Sequence, residues 1–395
     1  MELSYRTKGW IVAIAALAIN LILGILYSWS ILQKALVNEW GWTNTQASLP
    51  YTVCIATFAV MMVFAGRAQD KYGPKPIAFL GGILFGSGLI ASAFTRNPAL
   101  MIITFGILGG MGIGFGYSAV TPCAVKWFGP NKKGLISGIV VSGVGLSPVY
   151  IAPLTNSLLR THSIEQTFLY LGIFTLTGVI LLSLLLRNPP DIYPTGSSPD
   201  QKRDGSDYSW QRMVKTRPFL LLWISYLMSA AAGLMLLGHL AGIASVQAKW
   251  QAGFMLVVIL SVFNALGRVS GGFLSDKAGR INALLIVFIV QAANMFMFSF
   301  YQSIPALIAG AVVAGLSYGA LFALFPAVTA DFFGIRNLGV NYGLVFTGWG
   351  VAGIIGPMLG GLAADMSGTY NISYYISGVM LLTGALIVRK IKAPA

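Results

Sequence analysis

Twelve long apolar segments restrict the fold of this chain more than any other feature of its sequence. Each provides the roughly 20 residues that an α-helix needs to cross the hydrocarbon core of a bilayer. Backbone groups that face lipid must be hydrogen-bonded within the protein, and the alternating pattern of a membrane β-barrel is absent, so the segments are predicted to be helices. They lie near residues 9–32, 46–66, 76–95, 99–125, 134–158, 167–187, 218–244, 251–275, 281–301, 304–331, 337–363 and 370–388.

The composition leads to the same class of protein. Only 9% of the 395 residues are charged and 56% are hydrophobic, whereas soluble domains carry roughly 25% charged residues. A soluble protein of this length could not cover its surface with so few charges. We therefore expect an all-α, multi-pass membrane protein surrounded by the lipid bilayer. Separate expectations are that it lies in the cell inner (plasma) membrane and acts as a monomer.

The formal net charge of +14 raises the question of a nucleic-acid partner. With both termini placed in the cytoplasm, 20 of the 25 Lys and Arg residues fall in inner segments. The outer connections hold only four, namely Lys34, Arg96, Arg160 and Lys249. Cytoplasmic loops of membrane proteins are rich in Lys and Arg, so this distribution predicts the orientation and explains the basicity without nucleic acid.

One polar stretch, residues 187–217, divides the chain into two sets of six segments. It is rich in Pro, Gly, Ser and Asp, a composition typical of a linker. The predicted domains are an N-terminal six-helix bundle at residues 1–187, a cytoplasmic linker at 188–217 and a C-terminal six-helix bundle at 218–395.

The two halves repeat each other. Trp127-Phe128-Gly129 matches Phe332-Phe333-Gly334 at an offset of 205, and Asp70-Lys71-Tyr72-Gly73 matches Asp276-Lys277-Ala278-Gly279 at an offset of 206. Two separate matches at nearly one offset indicate a duplicated six-helix unit. Such a duplication predicts a pseudo-two-fold axis along the membrane normal and a substrate site between the halves near the midplane.

The segments that surround the repeated aspartates also carry a family resemblance. Residues 66–75 resemble the loop signature between the second and third helices of the major facilitator superfamily, and residues 272–280 are a second copy. The resemblance implies the fold of that family, with two pseudo-symmetric six-helix bundles and cytoplasmic termini. It also implies a cytoplasmic gate, for which the alternative is a pair of solvated turns that orient the protein. The candidate gate residues are Arg67, Asp70, Asp276 and Arg280.

The distribution of acidic residues restricts the chemistry. The chain has eleven Asp and Glu residues, and every one falls in a loop, in the tail or at the end of a predicted helix. No carboxylate is predicted near the middle of the membrane. This argues against a carboxylate-based sodium site, an embedded acidic proton relay and an organic-cation substrate.

Arg268 is the strongest candidate for a substrate-binding residue. It lies in the eighth segment, eight residues before Asp276, or about 12 Å along the helix from the cytoplasmic end. A lone guanidinium at this depth is costly, so an anion is its natural partner, and its parallel N–H groups match a carboxylate. The alternative is an arginine satisfied by backbone carbonyls and water.

Further candidates follow from depth and spacing. Asn264 is one helical turn before Arg268 and either binds substrate or forms neutral contacts between helices. Tyr117 and Tyr318 lie at comparable depth in the fourth and tenth segments, where an aromatic residue is either a ligand contact or ordinary packing. The remaining candidate contacts, nearer the outer side of the first segment, are Leu26 and Tyr27.

His239 is the histidine that falls within a predicted span. With no carboxylate nearby, it is the conventional titrating group nearest the midplane, so it is a candidate for proton coupling. The alternative is a neutral histidine that is hydrogen-bonded to a hydroxyl or a carbonyl group.

A finer resemblance links the chain to the oxalate/formate antiporter family and, more distantly, to proton-coupled monocarboxylate transporters. The local patterns that carry it are residues 27–29, 126–134, 323–326 and 341–343. The resemblance implies that Arg268 is the substrate arginine of helix eight and that Tyr117 is a binding-site tyrosine. It also places Tyr318 where the antiporter has a tryptophan in its site.

Two departures from these families bear on the substrate. The oxalate transporter has a second substrate cation, a lysine in helix eleven, where this chain has Trp349. One cation suits a monoanion better than a dianion. Animal monocarboxylate transporters have an aspartate four residues before the arginine, where this chain has Asn264.

The sequence therefore favours a proton-coupled symporter of small monocarboxylates such as L-lactate or pyruvate, working by alternating access. The main alternative is an exchanger of one carboxylate for another, which needs no protonatable group. An enzyme is not expected, because the predicted spans hold no paired acids, no nucleophile with a base and no metal cluster. No cofactor or metal ion is expected either.

Overall fold

The computed structural model describes residues 5–129, 132–190, 207–250 and 252–393. Within these ranges, twelve helical stretches are long and apolar enough to cross a membrane. The predicted all-α fold with twelve spans is thereby confirmed. Of the predicted linker, residues 191–206 lie outside the described ranges, and the part that follows contains one short helix, Trp210–Met213.

The helices are, in chain order, α1 Tyr5–Leu23, α2 Trp29–Trp40, α3 Asn44–Tyr72, α4 Pro74–Ser92, α5 Pro98–Met101, α6 Gly110–Val125, α7 Lys133–Thr161, α8 Ile164–Ser183, α9 Trp210–Met213, α10 Arg217–Ala248, α11 Phe254–Ala278, α12 Arg280–Phe298, α13 Ile304–Phe333, α14 Leu338–Ser367 and α15 Asn371–Arg389. Two spans consist of two α-helices each. A 3₁₀ segment, Gly24–Ser28, joins α1 to α2, and a π-helical segment, Ile102–Gly109, joins α5 to α6.

The 3₁₀ segment interrupts the first span where hydropathy predicts a continuous helix. Gly24 lies so close to α7 that an added Cβ would overlap the side chain of Ser147. The hydroxyl groups of Ser147 and Tyr150 both donate hydrogen bonds to the carbonyl oxygen of Leu21. Side chains of α7 thus stabilise the backbone at the point where the α-helical hydrogen-bond pattern changes.

The turns inside the two family signatures depend on glycine. Gly73 separates α3 from α4, Gly279 separates α11 from α12, and both have a φ of 83°. Backbone with positive φ is strained for residues that have a Cβ. The duplicated signature therefore encodes the same sharp reversal between consecutive helices in both halves of the sequence.

The backbone groups into two compact units. The first contains Met1–Gly129, Gly143–Asp200 and Arg336–Gly343; the second contains Pro130–Ser142, Gln201–Ile335 and Leu344–Ala395. Two helices are thus divided between the units, because the first turns of α7 belong to the second unit and those of α14 to the first. The simpler sequence-based division at residues 187 and 218 stays a prediction.

The sequence repeat recurs as a repeat of helix contacts. In the second unit, a Cβ added to Gly138 of α7 would overlap the carbonyl oxygen of Arg268 on α11. In the first unit, a Cβ added to Gly343 of α14 would lie 2.6 Å from the carbonyl oxygen of Met62 on α3. The two glycines differ by 205 positions and their two partners by 206, so Met62 is the internal equivalent of Arg268.

Candidate functional site

Arg268 lies inside the second unit with only 1% of its surface exposed. Its Nε donates a hydrogen bond to Asn264 Oδ1 at 2.9 Å, and its Nη1 donates to the backbone carbonyl of Val141. The guanidinium carbon lies 4.3 Å from the centre of the Phe322 ring, a cation–π arrangement. Within the described part of the chain, no Asp or Glu forms an ion pair with Arg268.

The approach of α7 to α11 makes the contact with Val141 possible. Gly138 lies one turn before Val141 and directly against the backbone of Arg268, where any larger side chain would force the helices apart. The carbonyl of Val141 can therefore reach the guanidinium on the next turn. This backbone acceptor corresponds to the alternative given in the sequence analysis, an arginine whose hydrogen-bond partners are backbone carbonyls and water.

An aromatic cluster continues from the arginine. Phe322 packs edge-on against Tyr318, with ring centres 5.3 Å apart. The hydroxyl of Tyr318 accepts a hydrogen bond of 2.9 Å from Nε1 of Trp349, and the Trp349 ring stacks on Phe346. The structure thus places Arg268 and Tyr318 against the one ring of Phe322, with Asn264 hydrogen-bonded to the arginine. Trp349 contacts this group through its bond to Tyr318.

The other three candidate substrate contacts lie in the first unit. Tyr117 on α6 is buried and packs edge-on against Phe58, with ring centres 5.6 Å apart. Leu26 is buried and Tyr27 is half-buried, and both fall in the 3₁₀ segment of the first span. Interrupted membrane helices line the binding sites of many transporters, so this position is consistent with a role in binding.

His239 lies on α10 of the second unit, apart from the arginine cluster. Its Nε2 is 2.8 Å from the carbonyl oxygen of Pro357, and its ring is 5.4 Å from that of Tyr370. Gly360 leaves room for the ring, since an added Cβ would overlap it. Among the described contacts, His239 shares no hydrogen bond or ring contact with Arg268, and its ring is hydrogen-bonded to a backbone carbonyl instead.

The repeated aspartates make matching contacts with helix N-termini. Asp70 accepts hydrogen bonds from the backbone N–H groups of Gly339 and Val340 at 3.2 and 3.0 Å, in the first turn of α14. Asp276 accepts bonds from the N–H groups of Gly134 and Leu135 at 3.1 and 2.9 Å, in the first turn of α7. A carboxylate at a helix N-terminus satisfies unpaired donors and interacts favourably with the helix dipole.

The two aspartate sites differ in their charged neighbours. Arg280 donates to Asp276 at 2.5 Å and to Asp331 at 2.6 Å, so Asp276 belongs to a charged network. The internal equivalent of Asp331 is Lys126, which interacts electrostatically with Asp70. The fourth candidate gate residue, Arg67, is exposed on α3.

Sequence reasoning missed three partners in these clusters. The carbonyl of Val141 has no signal in the sequence, because any residue supplies a backbone oxygen. Phe322 was detectable, since it is the equivalent of Tyr117 at the offset of 205. Asp331 was also detectable, because the same offset pairs it with Lys126 beside the repeated motif.

The described residues offer no candidate metal site. No group of three or more His, Cys, Asp or Glu side chains in the described ranges could hold a metal ion. Cys54 and Cys123 are both buried and free. The chemistry that the arginine cluster provides is hydrogen bonding and charge attraction toward an anion.

A comparison with protein families identifies the fold. The model of the Major Facilitator Superfamily matches residues 9–301 and 265–395. The chain belongs to this superfamily. The membership predicted from the repeated signature is thereby confirmed, and the matched ranges include both aspartate sites.

Relatives within the superfamily include carboxylate transporters. The chain is 27% identical over 385 residues to the oxalate:formate antiporter of Oxalobacter formigenes, covering 94% of this chain and 88% of that protein. It is 25% identical over 384 residues to monocarboxylate transporter 13 of Rattus norvegicus, covering 95% and 87%. A crystal structure of the E. coli fucose:proton symporter FucP matches with a TM-score of 0.74 and 14% identity over 99% of this chain and 100% of FucP, which shows a shared fold.

Proposed function

We propose that this protein is a secondary active transporter that carries small monocarboxylates such as L-lactate or pyruvate together with a proton, by alternating access. The buried guanidinium of Arg268 is the observation that carries the proposal. A membrane-embedded cation with neutral hydrogen-bond partners attracts an anion, and the geometry of its N–H groups favours a carboxylate. Transport rather than catalysis agrees with the superfamily and with the two relatives.

The charge of the cluster favours a monoanion. Arg268 is the cation of the cluster. Trp349 occupies the position at which the resemblance places a second substrate cation, a lysine, in the oxalate transporter family. The indole of Trp349 already donates to Tyr318, so this position contributes aromatic surface and an N–H group without charge. A dicarboxylate would bring one negative charge more than the cluster compensates, which is costly inside a membrane.

The internal partners of Arg268 support symport over strict exchange. A symporter has to reorient without substrate on its return step, and an unpaired guanidinium would oppose that movement. Here the side chain of Asn264 and the carbonyl of Val141 supply acceptors that belong to the chain itself. Two of the guanidinium N–H donors are therefore paired without a bound anion, and a carboxylate would replace the Val141 carbonyl on binding.

In this proposal the aspartate contacts form the cytoplasmic gate, with both chain termini on the same cytoplasmic side. Asp70 and Asp276 each bind the start of a helix that is distant in sequence, at 269 and 141 residues for the N–H donor that is nearer along the chain. Opening of the gate requires these charge-assisted hydrogen bonds to break. Lys and Arg residues near the same helix ends fit a cytoplasmic position.

A carboxylate exchanger is the second candidate function. Two observations favour it: the sequence has no acidic residue near the middle of a predicted span, and His239 is bonded to a backbone carbonyl. An exchanger needs no group that binds and releases a proton. The relation to the oxalate:formate antiporter is compatible with this alternative.

Binding of candidate anions tests the substrate class without assuming a coupling mode. The purified protein is heated with acetate, formate, lactate, pyruvate or oxalate, and the melting temperature is recorded. Lactate and pyruvate are expected to raise it in the unmodified protein, because a ligand that binds the folded state stabilises it. In the Arg268→Met variant the same anions are expected to have no effect.

The matched control for this experiment is Met62→Leu, at the equivalent position in the first unit. This variant should retain the stabilisation by lactate, since Met62 lies outside the proposed site. Equal stabilisation by lactate in the unmodified protein and in Arg268→Met would contradict the proposed role of the arginine. Tight binding of oxalate by the unmodified protein would contradict the argument from charge.

A further inference from the structure

A small pocket lies inside the second unit, on the side of Tyr318 next to α10, α12 and α15. Its lining includes Ser229, Gln291 and Ser317, together with apolar side chains such as Leu321. The space inside is on the scale of a single water molecule. A pocket with three polar side chains within a membrane-spanning bundle calls for a hydrogen-bonding occupant, since an apolar cavity of this size would stay dry.

Gln291 provides the strongest indication of such an occupant. It lies in the middle of α12 and is only 3% exposed. Its Oε1 accepts a hydrogen bond from Asn294, but in the described chain the acceptor for its Nε2 is the thioether of Met295 at 3.6 Å. Sulfur is a weak acceptor, so a buried amide donor at the pocket wall is left without a strong partner.

The two serines complete a coordination shell. Ser229 Oγ donates to the backbone carbonyls of Ser225 and Tyr226 in its own helix, which leaves the oxygen able to accept a hydrogen bond. Ser317 Oγ forms no hydrogen bond with any residue in the described ranges. Gln291, Ser229 and Ser317 thus provide a donor, an acceptor and a group that can act as either, and buried waters typically make about three hydrogen bonds.

The polar groups farther along α12 have a different role. Asn294 donates to the carbonyl of Gly310 at 3.0 Å and accepts from the hydroxyl of Tyr301 at 3.3 Å. Gln247 donates to the carbonyls of Phe298 and Tyr301 at the end of the helix. Asn294 and Gln247 thus have oxygen acceptors and fix the end of α12. Within this group of side chains, Gln291 is the one whose amide donor has a weak acceptor.

The pocket borders the ring of Tyr318. Gly233 lies against that ring, where an added Cβ would overlap it. Phe322 contacts the ring edge-on, and Trp349 holds its hydroxyl. Tyr318 lines the pocket together with Gly233, and a gap there would allow the ring to tilt away from the arginine cluster.

We propose that the pocket binds one ordered water molecule through Gln291, Ser229 and Ser317, and that this water holds Tyr318 in position beside the substrate arginine. Gln291 is then a positioning residue that acts through the water and Tyr318. The second half of this statement rests on the proposed carboxylate transport, whereas the water site itself does not.

Hydroxyl-radical footprinting of the purified full-length protein tests the water site directly. Radicals produced by an X-ray pulse from a bound water oxidise side chains next to it, and Met295 contacts the amide of Gln291. Met235 is the matched control, because it is also fully buried in the second unit and its sulfur accepts a hydrogen bond from Ser373. We expect Met295 to be oxidised several-fold faster than Met235, and Gln291→Leu to remove the difference.

Equal rates for the two methionines in the unmodified protein would overturn the water site, and no variant needs to fold for that result. Ser317→Val, which fills the pocket with methyl groups, gives an independent check in case Gln291→Leu is unstable. It should also bring the rate of Met295 to that of Met235. A fast Met295 in Ser317→Val would show that the radicals come from another source and would equally overturn the site.

Transport kinetics test the effect on Tyr318. Gln291→Leu is expected to raise the KM for lactate about fivefold with little change in maximal rate, on the scale of about 1 kcal/mol for one lost hydrogen-bonded contact. In a Tyr318→Phe background Gln291→Leu should have no further effect. In the proposal Gln291 acts on the substrate by keeping the Tyr318 hydroxyl in position, and phenylalanine has no hydroxyl. Effects that add would overturn the positioning role. If lactate is not transported at all, the proposed function fails while the footprinting result still decides the water site.

Discussion

The two units place different chemistry at equivalent positions. In the second unit, Arg268 on α11 stacks over Phe322 on α13 and lies against the backbone at Gly138. In the first unit, the same position on α3 is Met62, and it lies against the backbone at Gly343. The glycine contacts that set the helix spacing are shared, but the charged side chain is not.

Neighbouring positions differ in the same way. Asn264, the hydrogen-bond partner of Arg268, corresponds to Phe58, and Phe322 corresponds to Tyr117. Phe58 and Tyr117 pack edge-on, as an apolar pair with one hydroxyl group. The duplication therefore supplies the scaffold twice, and the polar side chains that suit an anion are concentrated in one copy. In this account substrate charge is recognised by the second unit.

The largest expected effect comes from removing that difference. Arg268→Met gives the second unit the residue of the first, and Arg268→Lys keeps the charge but loses the parallel N–H groups. Both variants should lower the initial rate of lactate uptake into liposomes by about 100-fold, the scale of losing a buried charge-assisted pair. Met62→Leu should stay within about twofold, as volume-conserving apolar exchanges do.

The melting temperature and elution profile of each variant show whether it is folded. Folded Arg268→Lys with near-normal uptake would mean that the arginine is structural. A large loss in Met62→Leu would mean that the two units share the site more evenly than the comparison implies.

A second contrast separates the two aspartate sites. Asp276→Asn should slow lactate uptake by about tenfold, because it weakens the bonds to the start of α7 and the ion pair with Arg280. Asp70→Asn weakens the N–H contacts at the start of α14 and the electrostatic interaction with Lys126, but it removes no ion pair like that of Asp276 with Arg280, so about threefold is expected. Uptake rates of the two variants, measured side by side, provide the test, and an equal or reversed order would contradict the role of the charged network.

How much of this arrangement was predictable depends on the kind of interaction. Hydropathy alone predicts the twelve spans, since crossing a bilayer imposes length and apolarity. It cannot predict the 3₁₀ segment Gly24–Ser28, because the contact of Ser147 with Gly24 depends on how α1 and α7 pack. The charge of Arg268 in an apolar segment and the one-turn spacing of Asn264 identified part of the site.

The remaining partners required tertiary structure. The acceptor at Val141 is a backbone group on a helix more than a hundred residues away, so no residue type signals it. Its position depends on Gly138, one of 47 glycines in the chain. The bond between His239 and Pro357 likewise joins two helices. From the sequence, a hydrogen bond to a carbonyl was only one possibility for His239, and proton coupling was the other.

A third experiment adds charge to the second unit. Trp349→Lys introduces a second cation next to Tyr318, which should attract dicarboxylates. The ratio of oxalate to lactate uptake is expected to rise about tenfold, or about 1.4 kcal/mol of discrimination. Competition of unlabelled oxalate with labelled lactate measures the ratio. Trp349→Phe is the uncharged control, and an unchanged ratio in the lysine variant would place this position outside the substrate site.

A small effect, equal to that at Asp70, is expected at His239. If this residue carries the proton, His239→Ala keeps exchange of lactate across the membrane but lowers accumulation driven by a pH gradient, by about threefold if water provides a slower route. His239→Gln retains a donor for the carbonyl of Pro357 and is the matched control. Recovery of accumulation in the glutamine variant would assign His239 a structural role and leave the proton to the substrate and water.

The coupling of a proton to the carboxylate distinguishes the proposed symport from exchange, and luminal pH reports on this coupling. Liposomes that contain the protein, a pH-sensitive dye and no internal carboxylate are supplied with external lactate. We expect acidification of the lumen that depends on the protein and is absent with Arg268→Lys, because each anion is accompanied by a proton. An unchanged luminal pH, with lactate uptake appearing only after the liposomes are preloaded with a carboxylate, would contradict symport and establish exchange.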